Sequence, residues 1–328
     1  MLAEPTLPTP LRRAPEIGGE RVELWIKNDG LSHPAYGGNK VRKVERALAE
    51  AKRRGARRVL TMGAVGSHHV LTTALFARAA GLRCAAVLIP QPSSAHVVDT
   101  IRASLAQGLE PYCVDHSALA PLRIASAWRP GDYFIPPGGS DVNGALSYVE
   151  AVGELVQQLR EQGSAPPDWI IVPVGSGGTC AGIAAGVMKN ELPTRVLGVQ
   201  TIRSPVPAWV TKRLTRALLQ RLSLPAQELP RVLAFDASQA GAGYGHATAA
   251  GDAATLEAKN VGLELDPTYT AKTFAAVLEH VRRAPAGSVP LRLLYWHTLS
   301  AVPLVPLLQG APDVDELPPR VKRLLVSA

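Results

Sequence analysis

One segment constrains this chain more than any other: a short apolar strand that runs into a glycine turn and then a helix. Trp169-Ile170-Ile171-Val172-Pro173-Val174 leads into Gly175-Ser176-Gly177-Gly178-Thr179, and a helical pattern continues to Lys189. An unbroken apolar run of this length reads as a strand covered on both faces, as in a parallel sheet. The amides of the turn and the helix N-terminus together suit a phosphate. A β–α turn that needs glycine only for packing is the plainer reading; Ser176 and Thr179 favour the phosphate.

That phosphate does not belong to a dinucleotide or to ATP. A nicotinamide-binding turn would need its third glycine where Cys180 stands, and residues 195–201 carry no acid for a ribose. The Gly-Lys-Ser/Thr of a nucleotide-binding loop is absent.

Strand-like and helix-like segments alternate along the rest of the chain. Strands are expected at 21–27, 58–62, 84–90, 110–115, 133–136, 195–201, 229–235 and 291–296. Helices are expected from Lys40 up to Gly55 and at 67–80, 95–107, 117–127, 143–162, 206–222, 249–260 and 270–283, with a short one from Ser300. The alternation predicts an α/β fold of two doubly wound parallel-sheet domains, with a boundary near 140–145. At 328 residues and 46% hydrophobic content the chain can fill two cores.

Several function classes drop out on composition. No apolar run is long enough to span a bilayer, so no membrane role is expected. The stretch from Met1 to Pro15 is proline-rich and lacks the apolar centre of a signal peptide, which makes a cytoplasmic protein the expectation. Cys84, Cys113 and Cys180 are odd in number and far apart, against both disulfides and a metal site. The net charge of +8 comes from scattered groups such as Lys52-Arg53-Arg54 and Arg57-Arg58, without interleaved aromatics. That pattern fits a solvated surface, and no nucleic-acid partner is expected.

Candidate chemistry sits at element ends. Ala35-Tyr36-Gly37-Gly38-Asn39-Lys40 places a lysine at a helix start, where partial positive charge favours the free amine. A free amine can form a Schiff base with a carbonyl cofactor. Alone, the stretch reads better as an exposed basic helix start, since Arg42 and Lys43 follow. In Gly63-Ala64-Val65-Gly66-Ser67-His68-His69, Ser67 can cap a helix, and the spacing excludes a hydrolase nucleophile elbow. Adjacent histidines on a helix point apart, against a two-histidine metal site. Tyr244, Tyr269 and Thr298 lie at element ends in the second half. Each tyrosine alone is a packed aromatic with a satisfied hydroxyl.

As a set, these segments resemble the fold-type II pyridoxal-phosphate enzymes, with their tryptophan-synthase-β-like architecture. The branch they look most like is the D-cysteine desulfhydrase and 1-aminocyclopropane-1-carboxylate (ACC) deaminase family. The resemblance runs from about residue 22 to about 305. Leu24-Trp25-Ile26-Lys27-Asn28-Asp29 looks like the family's opening strand, Gly37-Gly38-Asn39-Lys40 like its cofactor-lysine motif, and Gly175 to Thr179 like its phosphate loop. Gly243-Tyr244-Gly245 and Asp266-Pro267-Thr268-Tyr269-Thr270 are similar to its two tyrosine motifs, and His297-Thr298 to its last strand. Ser67 falls where the family has a serine that contacts or attacks substrate.

The resemblance implies a division of labour. Lys40, Ser67, Tyr244 and Tyr269 would be catalytic. Lys40, Asn39, His68, Gly175, Ser176, Gly177, Gly178, Thr179 and Thr298 would hold pyridoxal 5'-phosphate, with no metal. It also implies a large cofactor-binding domain of residues 1–44 and 142–328, a small domain of 45–141 inserted in it, a small amino-acid substrate and a homodimer. The implied activity is that of a lyase acting by α,β-elimination, most like conversion of D-cysteine to pyruvate, sulfide and ammonia. The family's deaminases usually carry glutamate where this chain has Thr270 and leucine where it has Thr298, which favours the desulfhydrase side. ACC deamination, another dehydratase or β-replacement reaction, and a non-catalytic ligand-binding homologue are the alternatives. The chain also departs from the pattern. The family's Gln-Ser-Asn-His is Gly66-Ser67-His68-His69 here, so His68 replaces the asparagine contact to the cofactor ring or that contact is lost. The glycine pair that follows the family's His-Thr is Leu299-Ser300, which would reshape the pocket.

Overall fold

The computed structural model describes residues 4–285 and 289–326; residues 1–3 of the proline-rich start lie outside the described residues. The chain forms two compact units. The larger comprises Pro5–Asn39 and Ser140–Ala301; the smaller comprises Glu4, Lys40–Gly139 and the stretch from Val302.

The larger unit is built on a six-stranded sheet. Its strands are β1 (Leu11–Arg13), β2 (Val22–Asn28), β8 (Trp169–Val174), β9 (Arg195–Gln200), β10 (Leu233–Asp236) and β11 (Leu291–His297), in the order β1-β2-β11-β8-β9-β10. All neighbours are parallel except β1, which pairs antiparallel with β2 at the edge. A three-residue strand among prolines has too little periodicity to be read from sequence.

Successive side chains in these strands serve different cores, which explains their continuous apolar sequences. Ile170, Val172, Val174, Leu294 and Trp296 pack with α6 (Val142–Glu161), α7 (Gly178–Lys189) and α9 (Leu229–Val232). Ile171, Leu293, Tyr295, Leu24 and Ile26 pack with α1 (Pro15–Gly18), α10 (Ala249–Lys259) and α11 (Thr270–Arg282). Fully burying one such side chain contributes about 1.5–3 kcal/mol. A further helix, α8 (Pro205–Arg221), lies over α6 and α7 through Leu214 and Leu218.

The order matters for function. From β8 the chain steps outward to β9 and β10, then returns to place β11 on the opposite side of β8. The winding therefore reverses between β8 and β11, and in open α/β sheets ligands bind beyond the carboxyl ends of strands at such a reversal.

The smaller unit has a parallel four-stranded sheet ordered β6 (Leu109–Cys113), β4 (Arg83–Ile89), β3 (Arg58–Ala64), β7 (Asp132–Phe134). Its helices are α2 (Asn39–Arg53), which begins at the last residue of the larger unit, α3 (His68–Ala79), α4 (Ala95–Ala106), α5 (Ala120–Ala127) and α12 (Pro319–Lys322). Ala127 and Ile124 of α5 pack on Leu60, Ala85 and Phe134. Buried Arg58 ties three strands together. It grips Asp132 through two hydrogen bonds of 2.9 and 2.6 Å and Glu110 through one of 2.9 Å.

Three details differ from the sequence expectations. The stretch from Val302 belongs with the smaller sheet, because β12 (Leu325–Val326) pairs with β5 (Gln91–Pro92) and Arg102 donates to the Pro312 carbonyl at 2.8 Å. The expected strand 229–235 begins as the helical turn α9, since Pro230 cannot donate to a ladder but suits a first helical turn. No helix starts at Ser300. Pro303 and Pro306 leave bends and a 3-10 turn at Val305–Leu308. Among the described residues no helix is long and apolar enough to cross a membrane.

Candidate active site

The phosphate-type turn lies at the carboxyl end of β8, where the winding reverses. A Cβ on Gly175 would sit 2.8 Å from Cε1 of Tyr269, and one on Gly178 would sit 2.5 Å from the Ser140 hydroxyl. Gly177 has φ +86°, which L side chains rarely adopt. Ser140 Oγ accepts the Gly178 N–H at 3.1 Å and lies 2.8 Å from Ser176 Oγ. The first-turn amides of α7 lack intrahelical acceptors and carry the positive end of the helix dipole. The backbone is thus stripped of side chains and lined with donors, as an anion requires. Ser140 was not legible as a site residue, because it lies 36 residues upstream of Ser176.

The lysine loop is fastened to this region from the other side of the reversal. Asn39 donates its backbone N–H to the Thr298 carbonyl at 3.1 Å and its side-chain amide to Thr179 Oγ1 at 3.0 Å. Gly38 N–H bonds the Asp29 carbonyl at 2.8 Å, and Gly37 N–H bonds Ser300 Oγ at 3.0 Å. Asp29 itself is fully buried. Its carboxylate accepts from Tyr148 Oη at 2.5 Å, Trp296 Nε1 at 2.8 Å and Thr9 Oγ1 at 3.0 Å. A buried carboxylate must be satisfied in this way, yet its donors come from three distant segments, so sequence gave no sign of it.

The two expected tyrosines meet. Tyr244 and Tyr269 stack edge to face, with centroids 5.7 Å apart at 80°, and their phenols hydrogen-bond. Burial raises both phenol pKa values, and Asp266 adds to the rise, so both are donors at neutral pH. Asp266 also fixes the start of α11. Its carboxylate accepts from the amides of Thr268, Tyr269 and Thr270 and from Thr270 Oγ1. Thr270 is therefore occupied with helix capping. Thr298 follows β11 and is mostly buried. Buried His297 is held neutral, its pKa pushed down to about 4, chiefly by burial.

Lys40, Ser67 and His68 fall in the smaller unit, and Lys40 is joined by one peptide bond to Asn39. Ser67 occupies the N-cap position of α3, but its side chain makes no cap hydrogen bond. The capping role expected of it is not what its hydroxyl does. His68 Nε2 lies 3.0 Å from His96 Nε2. His69 Nε2 lies 2.8 Å from Thr61 Oγ1, whose own proton goes to the Ile135 carbonyl at 2.8 Å. His69 must then donate from Nε2, leaving a bare Nδ1 that finds no hydrogen-bond partner. Burial, with the nearby charges of Lys40 and Lys43, holds its pKa well below the usual range. Gln200 Oε1, at the end of β9 beside the phosphate-type turn, is likewise buried without a partner.

Comparison with known proteins gives these features a family. The family described as "Pyridoxal-phosphate dependent enzyme" matches residues 2–291. Among solved structures, one described as an ACC deaminase homologue is 28% identical, covers 93% of this chain and 95% of its own, and superposes with a TM-score of 0.77. A fungal L-serine ammonia-lyase from Rhizomucor miehei, 21% identical, gives 0.66, with coverage of 91% and 96%. A hydrogen sulfide-producing enzyme from Fusobacterium nucleatum, 18% identical, gives 0.65, with coverage of 89% and 93%. The last two share the fold.

The residues present fit such a cofactor. Glycine at 175 and 178 lets Tyr269 and Ser140 pack against the turn, and the helix N-terminus that the turn opens offers donors for a phosphate. Thr298 offers a neutral hydroxyl, and Asn39 brings the chain to Lys40 directly from the first turn of α7.

Proposed function

The chain belongs to the family of pyridoxal-phosphate dependent enzymes, and we propose that it is a lyase removing sulfide and ammonia from a small amino acid, with D-cysteine as the best match. The observation that carries this reading is the bond from Asn39 to Thr179. It joins the lysine motif to the phosphate turn, two features that sequence can relate only by resemblance. The likeness to an ACC deaminase homologue supports this branch of the family. Threonine at 270 and 298, where the deaminases usually carry glutamate and leucine, places the chain by resemblance on the desulfhydrase side, although the Thr270 hydroxyl itself is spent on Asp266.

In this reading Lys40 holds the cofactor, and Ser176, Thr179 and the amides of Gly175, Gly177 and Gly178 hold its phosphate. Bound pyridoxal phosphate supplies an aldehyde for amines and a ring that accepts electrons from Cα. Its amine freed, Lys40 would take the proton from Cα of the substrate. Thr298 would offer a neutral hydroxyl to the cofactor ring. Ser67, whose hydroxyl is not spent on capping, orients the substrate carboxylate. Tyr244 and Tyr269, protonated at neutral pH, position substrate and relay a proton. D-Cysteine and water then give pyruvate, ammonia and hydrogen sulfide, with every atom accounted for. The family resemblance further supports a homodimer.

The test is a screen of D- and L-amino acids on purified protein, following released sulfide, ammonia and pyruvate. Sulfide and pyruvate from D-cysteine in equal amounts support the proposal. Turnover of ACC or serine with no sulfide from cysteine would replace it with another family activity. Bound cofactor without turnover of any of them would point to a ligand-binding homologue.

A further inference from the structure

Lys272 stands in a position that opposes a cation twice over. It is fully buried, and it occupies the third residue of α11, where the helix dipole is positive. Burial pulls its pKa down, and Asp266 offsets part of that. Among the described residues it forms no salt bridge. Instead its three N–H donors meet three backbone carbonyls: Gly243 at 2.7 Å, Ala240 at 2.8 Å and Thr201 at 3.4 Å.

Two of those carbonyls share a loop. Thr201 follows β9, whereas Ala240 and Gly243 belong to the loop that carries Tyr244. Otherwise the loop is held by the packing of Tyr244 on Tyr269 and by short turns such as Gly243 N–H to the Ala240 carbonyl at 3.1 Å. Gly241, Gly243 and Gly245 all have positive φ, at +59°, +117° and +82°, so each forgoes the restraint a side chain would impose. Tyr269, the partner of Tyr244, immediately precedes α11 and lies three residues before Lys272. One helix therefore presents Tyr269 directly and reaches Tyr244 through an ammonium.

We propose that Lys272 is a positioning residue, which locks the 240–245 loop so that Tyr244 stays against Tyr269, without itself touching substrate. The proposal rests on the function assigned above to the two tyrosines. Without the ammonium, the Thr201 carbonyl loses this partner, those of Ala240 and Gly243 keep only the amides of Gly243 at 3.1 Å and His246 at 3.4 Å, and the glycine loop samples other conformations more freely. Tyr244 would then reach its working position in only a fraction of molecules, which lowers kcat more than it weakens cofactor binding.

The experiment uses the full-length holoenzyme with Lys272→Met, which keeps the apolar stem and removes the donors. Amide hydrogen exchange at residues 240–246 is compared with the rest of the chain, alongside the visible absorbance of bound cofactor and sulfide release from D-cysteine. Exchange in the loop should rise by at least about 10-fold with the cofactor still bound. The kcat should fall by about 10-fold or more, and the loss from Lys272→Met combined with Tyr244→Phe should be no greater than that of the worse single change. Lys272→Gln keeps a shorter donor, should fold if the methionine variant does not, and should still raise loop exchange by about 3-fold. Unchanged loop exchange in the variant that folds, or losses that multiply in the double variant, would overturn the proposal. Faster loop exchange with undiminished turnover in Tyr244→Phe would instead overturn the role given to Tyr244.

Discussion

Asn39 donates its side-chain amide to the hydroxyl of Thr179 at 3.0 Å, across 140 residues of sequence. The residue before the expected cofactor lysine is thereby fixed to the first turn of the expected phosphate helix. Asn39→Ala should leave Thr179 without this donor and free the lysine loop from α7. A lost buried hydrogen bond of this kind costs about 1–3 kcal/mol. The apparent Kd for pyridoxal phosphate, titrated by visible absorbance, should rise by about 10-fold, alongside a lower melting temperature with and without cofactor. An unchanged Kd would show that the contact does not serve the site.

Ser300 is a departure from the family's glycine, yet its hydroxyl accepts the Gly37 N–H at 3.0 Å. The larger residue supports the lysine loop. Restoring the family residue with Ser300→Gly should therefore weaken the protein, with a cost of about 1–3 kcal/mol for the unpartnered amide. The check is the melting temperature of the holoenzyme, together with turnover of D-cysteine. Rising activity with unchanged stability would mean that Ser300 merely narrows the pocket.

Arg58 is 1% exposed and paired at short range with Asp132 and Glu110. Removing Asp132 leaves the buried guanidinium with the part-exposed Glu110, so Asp132→Asn should cost about 1–3 kcal/mol in chemical denaturation. Replacing Arg58 and Asp132 together by apolar residues should cost less than either single change.

Stability should also fall in acid for a reason traceable to His297. Its folded pKa is about 4, below the ordinary value of 6.5, so the unfolded chain binds more protons between those limits. Stability is therefore unaffected by this group above about pH 6.5 and declines as pH drops toward 4. The full effect of one such histidine is about 3 kcal/mol. His69 shifts in the same direction. Denaturant midpoints from pH 7 to 4 should show the decline, and His297→Gln should flatten it. An identical slope in the variant would remove His297 as its cause.

Much of this was readable in advance, and the limits have physical causes. Val174 to Thr179 announced itself because strand, turn and helix are contiguous, and local order is what sequence records. That Tyr244 and Tyr269 belong to the site was expected only from resemblance, and their contact with each other was not foreseen, since two tyrosines 25 residues apart carry no spacing signal. Asp29, Ser140 and Lys272 were missed altogether. Each takes its meaning from partners that come together only in the folded chain, as Asp29 does with Thr9, Tyr148 and Trp296. The stretch from Val302 was misplaced because a two-residue strand has no period to read.

The central claim is that Lys40 carries the cofactor. Its most direct measurement is borohydride reduction of the holoenzyme followed by peptide mass spectrometry. The account predicts one reduced pyridoxal phosphate per chain, on the peptide containing Lys40 and at that residue, and none in Lys40→Ala. A label on Lys43, Lys27 or Lys272, or no label on a protein saturated with cofactor, would contradict it.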